Sequence, residues 1–500
     1  MPSDEAVPLV VCGRTGGDDP ALLGRSWRFD TAVLLKLAVP NVASTVAQTL
    51  MSFTDFVIVK QMSAASEAQA AISSASLTFI TLLAMPMGTM TCVTTMVSQS
   101  LGAGRERDCA AYAWQGIWMA LLYGMGALML WPFVPAFYQM FGHEPTVTSM
   151  EVQYLHIRLL SLGIAAATIS LDNFFNGIHR PGINTVSAFL SVSVNVVLTY
   201  AWVLGKLGFP AMGVSGAAWG TVVATVVRAV FQFSVMYFSS AASRFQPRKA
   251  WRWDREKMRR LCWVGWPAGA AFLTDIAAWT VFQLAIIGRF GTADLAATGG
   301  VFRYLEVSFM PAVGIGMAVS TAVGKAIGQG HPTLARRITW IGTAFNAAYM
   351  SLMALLFVVY GEWLMRFISP DPAVVRLGTT LFIYAAVFQF FDAIAITHSC
   401  ALRGAGDTMW SSIVGAVEVW IILIGGGVLV ARLRPDLGSV GPWAFAATFV
   451  IAIGITLFAR WRWGPWESFD VIGRNEPRGG FPVITAPIEL PLSDPTNPPE

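Results

Sequence analysis

Long apolar runs recur along the whole of this 500-residue sequence, and they limit the possible fold more than any other feature. Residues 192–204, 214–238 and 349–360, with their flanks, are examples. A helical run of about 20 apolar residues is long enough to cross the hydrocarbon core of a bilayer, which is about 30 Å thick. Charged residues make up 12% of the chain, about half the share typical of a globular domain. The sequence therefore predicts an all-α, polytopic membrane protein.

The apolar runs predict twelve transmembrane helices, six on each side of a polar linker. The linker carries the largest positive cluster, with eight Arg or Lys residues between positions 239 and 260. Because loops on the cytoplasmic side carry the excess of positive charge, we expect this linker and both termini to be cytoplasmic. We divide the chain into five parts. They are a flexible N-terminal segment (1–32), an N-terminal six-helix bundle (33–238), a basic linker (239–259), a C-terminal six-helix bundle (260–463) and a disordered tail (464–500).

The two halves repeat a pattern of proline and glycine at matching intervals. MPMG at residues 85–88 is followed by VSQSLGAG at 97–104, and MPAVG at 310–314 is followed by VGKAIGQG at 323–330. A unit with an even number of spans enters the membrane from the same side each time. The repeat therefore predicts two bundles related by a pseudo-twofold axis along the membrane normal, an arrangement typical of transporters with a central site.

Three carboxylates lie within the predicted spans, at Asp55, Asp275 and Asp392. A charged carboxylate at this depth costs about 2.5–3.5 kcal/mol, so each needs a partner or a function. Burial favours the protonated form and a bound cation favours the charged form, so one site can exchange the two. All three are candidate cation-coupling residues, and a hydrogen-bonded structural carboxylate is the alternative for each.

Uncharged and weaker candidates accompany these acids. Asn195 and Thr199 lie one turn apart in the fifth span and fit oxygen ligands or helix contacts equally well. Phe388, one turn before the acid of the tenth span, fits a cation–π contact or simple packing. Glu418 and Gln48 are further candidates for the cavity lining. Asp172 and Arg228 fit a place in the cavity or, more often for such groups, an internal ion pair, and Arg303 and Glu306, three apart on a helix, fit a structural ion pair with each other.

Several of these segments resemble the multidrug and toxic compound extrusion (MATE) family, and most closely its NorM-like branch. They are VAQTLMSFTDFVIV at 46–59, VSQSLGAG at 97–104, WPAGAAFLTD at 266–275 and FQFFDAIAITHSCALRGAGDT at 388–408. The similarity covers roughly residues 33–460. It implies two six-helix bundles that rock to expose a central cavity to either face, and cation-coupled export of amphipathic, often cationic compounds.

The resemblance also assigns roles to the acids. It implies that Asp55 serves the N-terminal bundle, and that Asp275 and Asp392 form a cation site in the C-terminal bundle, as metal ligands if the ion is Na⁺. The chain departs from the family at three positions: Asp275 replaces the usual Glu, Phe388 replaces a frequent Tyr, and Thr199 stands where one branch has an acid. These departures leave the choice between Na⁺ and H⁺ open.

The leading interpretation is a secondary antiporter of the bacterial inner membrane. We expect a monomer surrounded by membrane lipid, with Na⁺ or H⁺ as coupling ion, no cofactor and no role for nucleic acid. The alternative is a flippase of the same fold for lipid-linked saccharides, whose phosphates would need several cations in the cavity. We expect no enzymatic activity, because the sequence has neither an HExxH zinc motif nor paired Asp motifs for pyrophosphate and magnesium.

Overall fold

The computed structural model describes residues 27–61, 65–141, 143–239, 244–469 and 471–472. These residues form helices joined by short turns, without a β-strand among them. Most of the predicted N-terminal segment, and the tail from residue 473 onward, lie outside the described residues. Their predicted flexibility therefore stays a prediction.

Twelve spans form two sequential bundles. The N-terminal bundle contains α1 (Trp27–Val59), α2 (Ala65–Gly102), α3 (Glu106–Leu128), α4 (Pro145–Leu160 and Leu162–Gly177), α5 (Gly182–Leu204) and α6 (Val214–Phe238). The C-terminal bundle contains α7 (Arg255–Val281), α8 (Thr292–Gly328), α9 (Pro332–Ile368), α10 (Pro372–Ala405), α11 (Thr408–Leu433) and α12 (Val440–Trp463). Within the described ranges, eleven helices are long and apolar enough to cross a membrane, and α4 is the twelfth if its two parts, bent by 50°, count as one span.

The predicted spans are confirmed, but several helices extend beyond the predicted limits. Two of them also change their helical pitch. A π-helical turn at Phe282–Ile286 follows α7, and a second one at Val419–Gly426 lies inside α11. Such widened turns often occur at functional sites.

The bundles contact each other through α2 with α7 and α1 with α8. The closest approach is at the end of the molecule that carries the basic linker, which we call the linker end. There the two copies of the glycine repeat, 97–104 and 323–330, pack against each other. A Cβ atom on Gly102, Gly324 or Gly328 would collide with the opposite helix. The repeated glycines therefore allow two backbones to meet, as small residues do at helix contacts in membranes.

Hydrogen bonds between the bundles strengthen the same contact. Thr95 Oγ1 donates to the carbonyl oxygen of Arg403 at 2.8 Å. Gln99 Nε2 donates to the carbonyl oxygens of Gly404 and Ala405 at 3.0 and 3.2 Å. These α2 side chains thus bind carbonyls in the last turn of α10, which have no partner within their own helix. The hydrogen bonds and close glycine contacts that join the bundles within the described ranges all lie in the middle or linker-end half of the helices.

The chain continues past α12 along the linker end. We call residues 464–469 and 471–472 the C-terminal strap. Trp466 is fully buried, and the carboxylate of Glu467 pairs with Arg336 of α9 at 2.8 Å. These contacts hold the first part of the strap on the C-terminal bundle.

The end of the strap reaches the N-terminal bundle. Val471 and Ile472 are buried in an apolar cluster formed largely by helices of that bundle. Arg105, in the turn between α2 and α3, donates from Nη1 to the carbonyl oxygen of Ile472 at 2.8 Å. The prediction of disorder from residue 464 is therefore wrong for the strap. The proline-rich composition of the whole tail masked a few large apolar residues at its start.

Candidate cation-coupling sites

The two acids of the C-terminal bundle come together inside it. Asp275 lies on α7 and lines a cavity of about 200 Å³ between α7, α10, α11 and α12, where its side chain is accessible to solvent. Asp392 lies on α10 and is half-buried. The two carboxylates are close enough for their negative charges to repel each other. The sequence analysis predicted both residues as cation-coupling candidates, but it did not show that their carboxylates lie near each other.

Protein groups do little to compensate these two charges. The indole of Trp279, one turn farther along α7, lies beside Asp275. Among the described residues the Trp279 indole is the hydrogen-bonding neighbour of Asp275, and neither carboxylate forms an ion pair. Two neighbouring carboxylates in a medium of low dielectric constant cannot both keep their charge without a counter-charge. The pair is therefore suited to hold a proton or a small cation.

The donor set limits how a metal ion could bind here. Groups of three or more His, Cys, Asp or Glu side chains that could hold a metal are absent from the described part of the chain. A sodium ion at Asp275 and Asp392 would therefore complete its shell with hydroxyl, carbonyl or water oxygens. These are the oxygen ligands that hard cations accept.

A second polar group lies in the N-terminal bundle around Asp55. Thr199 and Asn195 of α5 and Thr221 of α6 lie beside its carboxylate, and the positive charge of Arg158 of α4 acts on it. Asn195 and Thr199 are fully buried. Asn195 Nδ2 donates to Thr221 Oγ1 at 3.4 Å. The two α5 candidates therefore stand beside the span-one acid, although they are separated from it by about 140 residues of sequence.

This group has unused hydrogen-bonding capacity. Asp55 Oδ1, Asn195 Oδ1 and Thr199 Oγ1 are each buried without a hydrogen-bond partner among the described residues. Buried polar atoms are normally paired, so each unpaired oxygen needs an explanation, such as a bound water or ion. Three unpaired oxygens in one place can bind a proton with its water, or a small cation.

The other candidates do not join either group of acids. Phe388 is 4% exposed and lies in the apolar core of the C-terminal bundle, which agrees with the packing role that the sequence left open beside a cation–π contact. Glu418 accepts a hydrogen bond from Thr456 Oγ1 at 2.8 Å and directly precedes the π-helical turn of α11. Gln48 is exposed on α1, and its Nε2 donates to the carbonyl oxygen of Ser44 at 3.4 Å.

Four charged residues form two ion pairs, of which the sequence predicted Arg303 with Glu306, while the structure shows that Asp172 and Arg228 are partners. Arg228 binds Asp172 through Nη2 at 2.8 Å, and both side chains are largely buried. Gln232 adds a hydrogen bond to the same carboxylate at 2.6 Å. Arg303 and Glu306 approach to 3.6 Å on the exposed face of α8. None of these charges is left available for a transported ion.

The family model described as MatE matches residues 40–201 and 271–429, which together are more than half of the chain. The chain belongs to the MatE family. The matched ranges of this MatE protein contain all three acids, and the predicted resemblance is confirmed. The chain is 28% identical over 446 residues to "Probable multidrug resistance protein NorM" of Mesorhizobium japonicum, covering 87% of this chain and 94% of the relative. It is 29% identical over 416 residues to "Multidrug resistance protein PmpM" of Pseudomonas aeruginosa, covering 80% and 84%.

Solved structures of other MATE transporters share the fold of this MatE protein. An outward-facing multidrug resistance MATE transporter superposes with a TM-score of 0.80 at 16% identity, over 87% of this chain and 95% of that one. The eukaryotic MATE transporter AtDTX14 superposes with a TM-score of 0.78 at 16% identity, over 88% and 97%. The predicted all-α architecture of an integral membrane protein is thus confirmed.

Proposed function

We propose that this protein is a secondary multidrug efflux transporter, which exports amphipathic and often cationic compounds in exchange for Na⁺ or H⁺. The observation that carries this proposal is the pair of neighbouring carboxylates, Asp275 and Asp392, neither of which forms an ion pair with a described residue. Relatives named as multidrug resistance proteins support it. One unit charge moving through about 100 mV supplies about 2.3 kcal/mol, enough for a roughly fifty-fold gradient of the exported compound.

We further propose that the protein works by alternating access in the bacterial inner membrane, with the linker end and both termini in the cytoplasm. The positive charge of the linker supports this orientation. The contacts between α2, α8 and α10 at the linker end support an outward-facing form. In this form Asp275 and Asp392 would take up the coupling ion from outside and release it after the bundles rock.

The coupling ion is the one co-substrate in this proposal. A monomer suffices for transport, because both groups of acids lie within one chain. The flippase alternative would need several cations around the cavity. Arg403 is the single cationic side chain among the described residues that line it. This favours export of compounds that carry a positive charge.

The test is efflux from proteoliposomes with Na⁺ and H⁺ gradients imposed separately. Asp275→Asn and Asp392→Asn should each reduce gradient-driven export of a lipophilic cation by at least about tenfold, since the site then lacks one of its two charges. Glu362→Gln is the matched control, because Glu362 is exposed and pairs with Arg366 on the surface of α9. Wild-type export by both variants under either gradient would rule out the C-terminal pair as the coupling site.

A further inference from the structure

Arg403 carries a half-buried positive charge that no described residue pairs with. It lies in the last turn of α10 and lines the same cavity as Asp275. Its backbone carbonyl binds Thr95, but its half-buried guanidinium forms no hydrogen bond or ion pair with a described residue. A guanidinium has five N–H donors and stays charged, so this position calls for an acceptor.

Besides the carboxylate of Asp275, the cavity around Arg403 is lined by hydroxyl groups, which can donate hydrogen bonds to an anion. Ser399 and Ser412 line the cavity, and their hydroxyls make no hydrogen bond to other described residues. The nearest acid along the chain, Asp407, accepts a hydrogen bond at 2.7 Å from Arg460 and is 2% exposed. It is therefore already neutralised by another arginine. A guanidinium and two hydroxyls that have no hydrogen-bond partner among the described residues line this cavity together, and such a set of donors fits an anion.

We propose that Arg403, with Ser399 and Ser412, forms an anion-binding subsite that takes the carboxylate of an exported compound. Guanidinium and carboxylate pair through two parallel hydrogen bonds, and such pairs are strong when water is partly excluded. The cavity of about 200 Å³ is smaller than the roughly 300–1,000 Å³ of a pocket for a whole drug-sized ligand. It therefore holds one end of a larger compound.

With this subsite the cavity contains both a negative and a positive side chain. Asp275 lines the same cavity and can attract a cationic group, while Arg403 attracts an anionic one. A compound that carries both groups can bind in one orientation, with its carboxylate toward the linker end. This inference rests on the proposed efflux function, but binding at Arg403 can be measured separately from transport.

The first test uses benzoate and benzamide, which have the same size and differ in charge. In a chloride-free buffer of constant ionic strength, benzoate should raise the melting temperature of the purified wild-type protein, and benzamide should not. The rise should disappear in Arg403→Gln and return in part in Arg403→Lys, which keeps the charge but not the fork of donors. An equal rise with benzamide, or an undiminished benzoate effect in Arg403→Gln, would overturn the subsite.

A measurement with chloride distinguishes a carboxylate of the exported compound from a free inorganic anion as the ligand of Arg403. Addition of chloride should change the melting temperature little and should weaken the benzoate effect little. Arg403-dependent stabilisation by chloride equal to that by benzoate would make a free inorganic anion the ligand. That result would overturn the assignment to a carboxylate of the cargo.

The second test uses two dyes of the same skeleton, rhodamine 110 with a free carboxylate and rhodamine 123 with its methyl ester. Arg403→Gln should weaken binding and efflux of rhodamine 110 by about tenfold, or about 1.4 kcal/mol, and change rhodamine 123 by less than about twofold. Arg366→Gln is the control, because Arg366 is 69% exposed on α9 and pairs with Glu362.

The outcomes distinguish the two proposals. Equal losses for both dyes in Arg403→Gln would mean a general structural role and overturn the subsite, as would no loss for either dye. Ion-independent behaviour of both dyes in the wild type would count against the proposed antiport. The benzoate result would then still decide whether Arg403 binds a carboxylate.

Discussion

The two groups of acids differ in what surrounds each carboxylate. Asp55 is enclosed by the neutral side chains of Asn195, Thr199 and Thr221. Asp275 and Asp392 instead lie near enough for their charges to repel each other, with the Trp279 indole beside Asp275. Neutral oxygens can stabilise a protonated or an ion-bound carboxylate through hydrogen bonds, whereas a pair of like charges requires a positive partner. We therefore assign the stronger coupling to the C-terminal pair.

Asp55 should still be needed for turnover. Asp55→Asn removes the one acid from the group of unpaired oxygens in the N-terminal bundle, and we expect at least a tenfold loss of gradient-driven efflux, or about 1.4 kcal/mol. The measurement is initial efflux rate in proteoliposomes at equal protein content. Asn195→Asp, which adds a second carboxylate to the same group, should shift the ion dependence of transport. Unchanged rates in Asp55→Asn would assign this residue to structure alone.

The Asp172–Arg228 pair should matter for stability. Asp172→Asn leaves Arg228 charged and largely buried without its partner. Removal of one member of a buried pair typically costs about 3–5 kcal/mol, so the melting temperature in detergent should fall by several degrees. Glu306→Gln breaks the exposed pair with Arg303 and should cost less than about 1 kcal/mol. Equal melting temperatures for the two variants would contradict the assignment.

Sequence reasoning identified ionisable residues but not their neighbours. An acid in an apolar run stands out because water is absent there, which is why Asp55, Asp275 and Asp392 could be found. Thr221 and Arg158 complete the group around Asp55 only through the packing of α4, α5 and α6. Arg403 escaped notice because its position at a span end makes it look like a loop charge. The fold places Arg403 in the lining of the cavity.

At the scale of the helices, the glycine repeat forms the contact between the two bundles at the linker end. The second glycine segment of each half was predicted as a repeat, and the structure shows that the two copies pack against each other. The π-helical turns of α7 and α11 were not predicted. Their residues are as apolar as those of a regular span. Because helical pitch depends on packing rather than on hydrophobicity, the apolar pattern did not reveal these turns. A run of three glycines at 425–427 was the one local hint.

The Gln99 contact should hold the linker end closed. Gln99→Leu keeps the bulk of the side chain and removes two hydrogen bonds to α10. At about 1 kcal/mol for each bond, the open form should become more populated by roughly tenfold or more. The readout is labelling of Cys92, which is buried between α2 and α7, by a membrane-impermeant maleimide applied from the linker side.

The labelling experiment requires a variant in which Cys92 is the one remaining cysteine. Gln153→Leu is the matched control, because Gln153 is exposed on α4 near the opposite end of the molecule. It should label at the rate of the parent protein. Slow labelling in Gln99→Leu, equal to the control, would show that this contact does not hold the closed form.

At the scale of the whole molecule, the C-terminal strap joins the two bundles. It is fixed to α9 through Glu467 and to the N-terminal bundle through Val471 and Ile472. Deletion of residues 464–500 should therefore speed labelling of Cys92 and lower the melting temperature, because apolar side chains of the strap leave their sites. Deletion of residues 473–500 is the matched control and should leave both unchanged. The same effect from both deletions would place the stabilising contacts beyond the strap.

The packing of α2, α8 and α10 at the linker end has a pharmacological consequence. In the outward-facing form that we propose, this packing closes the route to Asp275 and Asp392 from the side that carries the basic linker. With that side in the cytoplasm, an inhibitor that occupies the cavity and prevents the helices from separating could be delivered in the external medium. Such a compound would not have to enter the cell, and the pump it blocks could not expel it.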